Sequence, residues 1–367
     1  MYKQLLPIVF LMMSVASIAQ TNESVLLLSR TVNDYFMKQW PDPTIATHVK
    51  KIRPSHLWTR AVYYEGLMAL YSIDAQQRYI DYVDRWADYH QWTARDGVHT
   101  TDADNQCCEQ TYLDRYAMVG NPKMINKTKE NLDLQMATGR IDYWWWIDAI
   151  QMALPVCAKY AWITNERKYI DYGMLSYRDA RDRRGLFNKE DGLWWRDSVY
   201  KTPYKEPDGK NCYWSRGNGW VYAALVRTME TLSPHDSYYK ELKEDFILMS
   251  NALLKVQRAD GFWNASLIST HWEGPEMTGT ALFLYGMSWG IKNGILRVNV
   301  YRPSCDKAWK AIASCVHENG FLGWNQGTGA DPSAGQPVTY SSVPDFEDYG
   351  TGCWLLGASS YAKLVRQ

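Results

Sequence analysis

The chain reads as all-α, an (α/α)6 toroid in which six inner helices are ringed by six outer ones, on three observations. Apolar residues recur with a helical period from end to end, while strand patterns are sparse. Weakly charged helical segments alternate with segments charged on one face, and the turns that join them repeat.

Twelve segments fall at roughly 24–40, 58–73, 77–92, 106–118, 121–138, 146–163, 167–184, 217–232, 236–257, 277–291, 302–317 and 348–366. "YYEGLMALYSI" in the second, "GWVYAALVRTM" in the eighth and "TGTALFLYGMSWGI" in the tenth are rich in Gly, Ala and aromatics with few charges, which marks inner helices. "KENLDLQMA" and "YYKELKEDFILMSNALLKVQ" carry charge on one face, which marks outer ones. "RYIDYVDRW" at 78 and "KYIDYGMLSY" at 168 open two outer helices in the same way. "RDGVH" (95–99), "EDGLWW" (190–195), "ADGFW" (259–263) and "ENGFLGW" (318–324) each follow an outer helix with a Gly turn that returns the chain to the next inner helix. No linker rich in Pro, Ser or Gly interrupts the array, so residues 22–367 read as one catalytic domain.

Forty basic and forty acidic residues cancel. No long-range field then draws nucleic acid or an anionic membrane surface, and an anionic ligand must be held by local groups. The 18 Trp and 26 Tyr against 8 Phe favour rings with a hydrogen-bonding edge, which suits a cleft that stacks on the C–H faces of sugars, although most of them read as core. At the N-terminus, Lys3, the apolar run from Leu5 to Val15 and the small residues ending at Ala19 form a signal peptide over residues 1–20, too short to span a bilayer. The mature protein is expected to be exported, periplasmic or secreted, as a monomer or weak dimer. Seven cysteines without a repeated CxxC spacing indicate neither a zinc site nor a disulfide framework. They read as buried thiols, with Cys305 and Cys315 the pair that an oxidising compartment would join. No metal or organic cofactor is expected.

In such a toroid a ligand meets the N-terminal ends of the inner helices, where unpaired N–H groups favour negative charge. Asp148, behind "YWWW", and Asp104, in "TDADNQCCEQ", fall at such starts. Each is either a helix cap or a carboxyl placed for proton chemistry. In "YWSRGNGWVYAAL" (213–225) two glycines around Asn218 allow a tight turn, Arg216 offers a fork for a carboxylate, and Trp220 opens the next inner helix as a stacking platform. Tyr64, Trp146, Arg196 and Trp214 complete the candidate substrate-binding set.

The segments "WWWIDAIQMALPVCAKY", "LWWRDSVY", "YWSRGNGWVYAALVR", "DGFW", "GTALFLYGMSWGIKNGIL" and "YGTGCWLLGASSYAKL" together resemble glycoside hydrolase family 105, the unsaturated rhamnogalacturonyl hydrolases, related to the unsaturated glucuronyl hydrolases of family 88. The resemblance covers nearly the whole mature chain and implies an (α/α)6 barrel. It also implies a hydrolase acting on acidic oligosaccharides, the products of polysaccharide lyases. Such an enzyme protonates C4 of the terminal C4=C5 enol ether, adds water at C5 and lets the hemiketal open to expel the aglycone. The proton carrier matches Asp148, whose pKa Trp144, Trp145 and Trp146 are expected to raise, and Asp104 matches a second carboxylate that orients the sugar or modulates the first. Arg216 and Trp220 match positions that contact the sugar. Arg196 stands where many members carry His, Asn105 where an acidic pair is common, and Glu109 where Gly is expected.

Other readings of the same toroid are weaker. An epimerase needs two positioned His, and the seven His form no helix-start pair. A conventional glycosidase would use Asp104 and Asp148 across the scissile bond, and a non-catalytic saccharide binder would need neither. The sequence leaves open whether the unsaturated sugar is galacturonyl, from pectic rhamnogalacturonan, or glucuronyl, as from ulvan.

Overall fold

The computed structural model describes residues 6–366, with side chains from Glu23 onward, so the leader expected over residues 1–20 lies outside the fully described residues. In chain order the helices are α1 (Leu6–Gln39), α2 (Trp58–Tyr71), α3 (Gln77–Tyr89), α4 (Ala103–Gln106), α5 (Glu109–Val119), α6 (Asn126–Ala137), α7 (Asp148–Thr164), α8 (Lys168–Arg178), α9 (Ser215–Met229), α10 (Ser237–Val256), α11 (Met277–Lys292), α12 (Val298–Ser314) and α13 (Asp348–Val365). Two small antiparallel hairpins, β1 (Thr47–His48) with β2 (Ile52–Arg53) and β3 (Phe187–Asn188) with β4 (Leu193–Trp194), lie in the long connections.

Inner helices touch in the order α2, α5, α7, α9, α11, α13 and back to α2, which closes the ring. The outer helices α1, α3, α6, α8, α10 and α12 alternate with them along the chain. Sequence decides which is which. In α3 the buried residues Tyr79, Tyr82, Val83 and Trp86 follow helical spacing and leave the charged face to water, whereas every residue of α9 is buried. Buried apolar side chains from Val25 to Leu364 join in one cluster, the core between the two rings.

The repeated turns have one physical cause. Gly97, Gly192, Gly261 and Gly320 all adopt positive φ, between 68° and 93°, where a side chain would be strained. The fourth predicted segment is broken: α4 ends at Gln106 and α5 begins at Glu109, so Asp104 sits on a short separate turn. All seven cysteines are buried free thiols, and Cys305 and Cys315 form no disulfide.

Candidate active site

The N-terminal ends of α2, α4 and α7 and two later loops enclose a cleft of about 340 Å³ lined by Lys51, Arg53, Trp58, Asp104, Trp146, Asp148, Met152, Arg196, Thr328 and Gly329. Asp148 is the first residue of α7 and does not cap it, because no side chain does. Asp104 is not a cap either; Asp102 caps α4 by accepting from the Asp104 N–H at 2.9 Å. Both carboxyls are therefore left for the cleft.

Arg196 is held beside Asp148 by its own backbone, since its carbonyl accepts from the Ile147 N–H at 2.9 Å, one residue before α7. Its Nε lies 3.4 Å from Asp148 Oδ2, and its Nη1 donates to Asp197 Oδ2 at 2.6 Å. Asp148 Oδ2 has no hydrogen-bond partner in the protein. Burial raises the Asp148 pKa, while the charges of Arg196 and Arg216 pull it back. Asp104 is pushed up to about 8, first by burial and then by the charges of Asp102 and Asp148. Two carboxyls in one cleft thus hold protons more tightly than a surface Asp.

The three tryptophans ahead of Asp148 divide. Trp146 lines the cleft, and Trp144 is buried in the core. Trp145 is 51% exposed, so it does not bury Asp148 as expected, and instead its ring lies 5.5 Å from the Arg196 guanidinium.

Other expected contacts turn out to be supports. Arg216 is fully buried between Trp214 and Tyr349, and donates to the Gln326 carbonyl at 3.0 Å and the Gly327 carbonyl at 2.8 Å. Its fork thus faces the backbone of the loop that carries Thr328 and Gly329 to the cleft. Trp214 Nε1 donates to Gln326 Oε1 at 2.9 Å and braces the same loop. Asn218 accepts from the Trp194 N–H at 2.8 Å and donates to the Trp194 carbonyl at 3.0 Å, which fixes β4 two residues before Arg196. The "RGNG" stretch is helical in α9 and makes no turn; a Cβ on Gly217 would come within 2.8 Å of the Trp214 ring. Trp220 is buried and meets the cleft residue Trp58 edge-on at 6.3 Å. Tyr64 is remote from the cleft: it lies in the core, stacked on Trp86 at 3.9 Å. Asn105 ties the 96–105 loop through Asp96 and Thr100, and Glu109 is buried beside Thr128.

Sequence reasoning missed Trp58, Lys51 and Arg53. Trp58 opens the first inner helix, the same kind of position as Asp148, and the signal was there to use. Lys51 and Arg53 come from the β1–β2 hairpin, in "KKIRP". Arg53 stacks 4.7 Å over Phe346 and, among the described residues, has no ion-pair partner. No sequence pattern marks a loop that folds back across a cleft.

The sequence profile of Glycosyl Hydrolase Family 88 matches residues 28–365. An unsaturated 3S-rhamnoglycuronyl hydrolase of Formosa agariphila is 31% identical over 331 residues, covering 84% of both chains. One of the same name from Alteromonas sp. (strain LOR) is 30% identical over 341 residues, covering 85% of this chain and 79% of the relative. A solved structure of a family 88 glycosyl hydrolase from Bacteroides vulgatus superposes with a TM-score of 0.84 at 31% identity, over 94% of this chain and 99% of that one. A match over nearly the whole length of this toroid, with two carboxyls and unpaired cations at one mouth, places the chain in glycosyl hydrolase family 88.

Proposed function

We propose that the enzyme releases a terminal 4,5-unsaturated uronic acid from rhamnose-containing oligosaccharides by hydrating the enol ether, and that Asp148 carries the proton. The observation that carries this reading is the pairing at Asp148 of burial with an arginine 3.4 Å away. Burial favours the acid that must protonate C4, and the Arg196 charge favours the carboxylate that must then take a proton from water. A group that alternates between these roles needs neither form to dominate strongly.

In this account the Asp148 proton goes to C4, and the C4=C5 π electrons leave a cation at C5 shared with the ring oxygen. Water adds at C5 and returns a proton to the Asp148 carboxylate. The hemiketal opens to a C5 ketone, and the hemiacetal exposed at C1 expels the aglycone as an alcohol. Asp104, protonated at neutral pH, donates a hydrogen bond to a sugar hydroxyl. Arg53 and Lys51 take the uronate carboxylate, since Arg216 is committed to backbone carbonyls. Trp58 and Trp146 supply the apolar walls. The rhamnose-linked substrate follows from the names of two relatives at about 30% identity.

The reading is tested with lyase-generated oligosaccharides from several acidic polymers, pectic ones included, by following loss of the enol-ether ultraviolet absorbance. Fragments with a uronyl–rhamnose end should bleach fastest; bleaching of none of them contradicts it. We further propose export, on the pattern of Lys3, Leu5 to Val15 and Ala19. N-terminal sequencing of protein from the cell exterior or periplasm should begin near residue 20, and an intact Met1 there overturns it.

A further inference from the structure

The opposite mouth of the toroid, formed by the C-terminal ends of the inner helices, opens into a cavity of about 510 Å³, larger than the catalytic cleft. Its charged lining is balanced: Glu65, Asp114 and Glu230 stand against Lys159, Arg227 and Lys363. Lys159 bonds Asp114, and Arg227 lies 3.5 Å from Glu65. Arg227 is itself buried, and its Nη2, without a hydrogen bond, lies 3.7 Å from Asp114 Oδ2. At the rim Trp162 is 60% exposed, an uncommon place for so large an apolar ring. Trp162 and Thr231 also border a second hollow of about 230 Å³, lined by Asn165, Arg167 and Asp236 among others.

We infer that this mouth is a second saccharide site, distinct from the cleft, which takes a neutral oligosaccharide across Trp162. Three features select that class. Balanced charge gives no net attraction for an anion, and the converging carbonyl ends of α2, α5, α7 and α9 oppose one. Those carbonyls and the paired acids accept from hydroxyls, while Lys363, partly exposed in the lining and without an ion-pair partner among the described residues, donates. An exposed indole between two hollows offers one sugar ring a stacking face and its neighbours room on either side.

The test is calorimetric titration of the full chain with L-rhamnose, maltose and cellobiose, with glucuronic acid as the anionic probe, on wild type, Asp148→Asn and Trp162→Ala. Saturable binding of at least one neutral sugar is expected in wild type and in Asp148→Asn alike. It should weaken on the order of tenfold in Trp162→Ala, whose kcat/KM in the cleft stays unchanged. The inference is overturned by no saturable binding of any neutral sugar, by equal binding in Trp162→Ala, or by glucuronic acid binding that Trp162→Ala weakens as much as it weakens the neutral sugars. None of these results bears on the reaction proposed for the cleft, which Asp148→Asn probes by turnover.

Discussion

The two mouths of the toroid are built from the same inner helices and differ in what their polar groups are left to do. At the C-terminal mouth Lys159 pairs with Asp114, and Glu65 accepts from Gln151 at 2.8 Å beside Arg227, so the four innermost charges answer one another. At the N-terminal mouth Asp148 Oδ2 and Arg196 Nε face each other at 3.4 Å without a hydrogen bond, and Arg53 and Lys51 have no ion-pair partner among the described residues. Polar groups that satisfy one another hold the ring together. Those left unsatisfied around a cleft are available to a substrate, at a cost in stability that the rest of the fold must offset.

Substitutions on either side should separate these roles. Asp148→Asn keeps shape and burial but removes the proton, so kcat should fall at least ~10²-fold with little change in melting temperature. Near-native turnover would break the comparison. Glu65→Gln should do the reverse: it removes the nearer of the two counter-charges of Arg227, leaving Asp114 at 3.7 Å, at a cost of ~3 kcal/mol or somewhat less in chemical denaturation, while kcat holds. Among the arginines, Arg53→Ala should raise KM about tenfold or more through loss of a charge-assisted bond to substrate, with kcat less affected. Arg216→Ala should instead lower the melting temperature by stranding the Gln326 and Gly327 carbonyls, and Arg216→Lys should not restore it.

A pH dependence tests the second carboxyl. An unfolded Asp titrates near ~4, and Asp104 in the fold near about 8. Between these values the unfolded chain has released the proton and the folded chain has kept it, so Asp104 makes stability fall as pH rises through that window. Asp104→Asn cannot ionise. Its melting temperature relative to wild type should therefore climb from about pH 4 to about pH 8, and a flat difference would mean that Asp104 titrates normally.

The fold was legible in the sequence because helical periodicity and the Gly turns are local signals. The positions of Asp148 and Asp104 at the cleft were legible for a related reason: Asp148 opens an inner helix, and Asp104 lies in the short turn that leads into another. What the sequence hid was direction. Arg216, Asn218 and Trp220 sit in the motif most suggestive of a binding loop, yet α9 starts earlier than the two glycines implied, and its first turn is buried between neighbouring helices. Arg216 and Asn218 hold the loops that bear Thr328, Gly329 and Arg196, and Trp220 packs on Trp58. Lys51 and Arg53 reach the cleft through a hairpin whose path depends on tertiary packing, which no periodicity records.

The central claim, that water adds across C4=C5 and not at the anomeric carbon, is tested most directly by running the reaction in deuterated water and examining early product by mass spectrometry and NMR. Hydration with Asp148 as proton carrier predicts one deuterium at C4, on a single face, appearing in step with loss of the enol-ether absorbance. Release of an unsaturated uronic acid that keeps its absorbance and carries no deuterium at C4 would contradict it, and would make Asp104 and Asp148 the acid and base of an ordinary glycosidase.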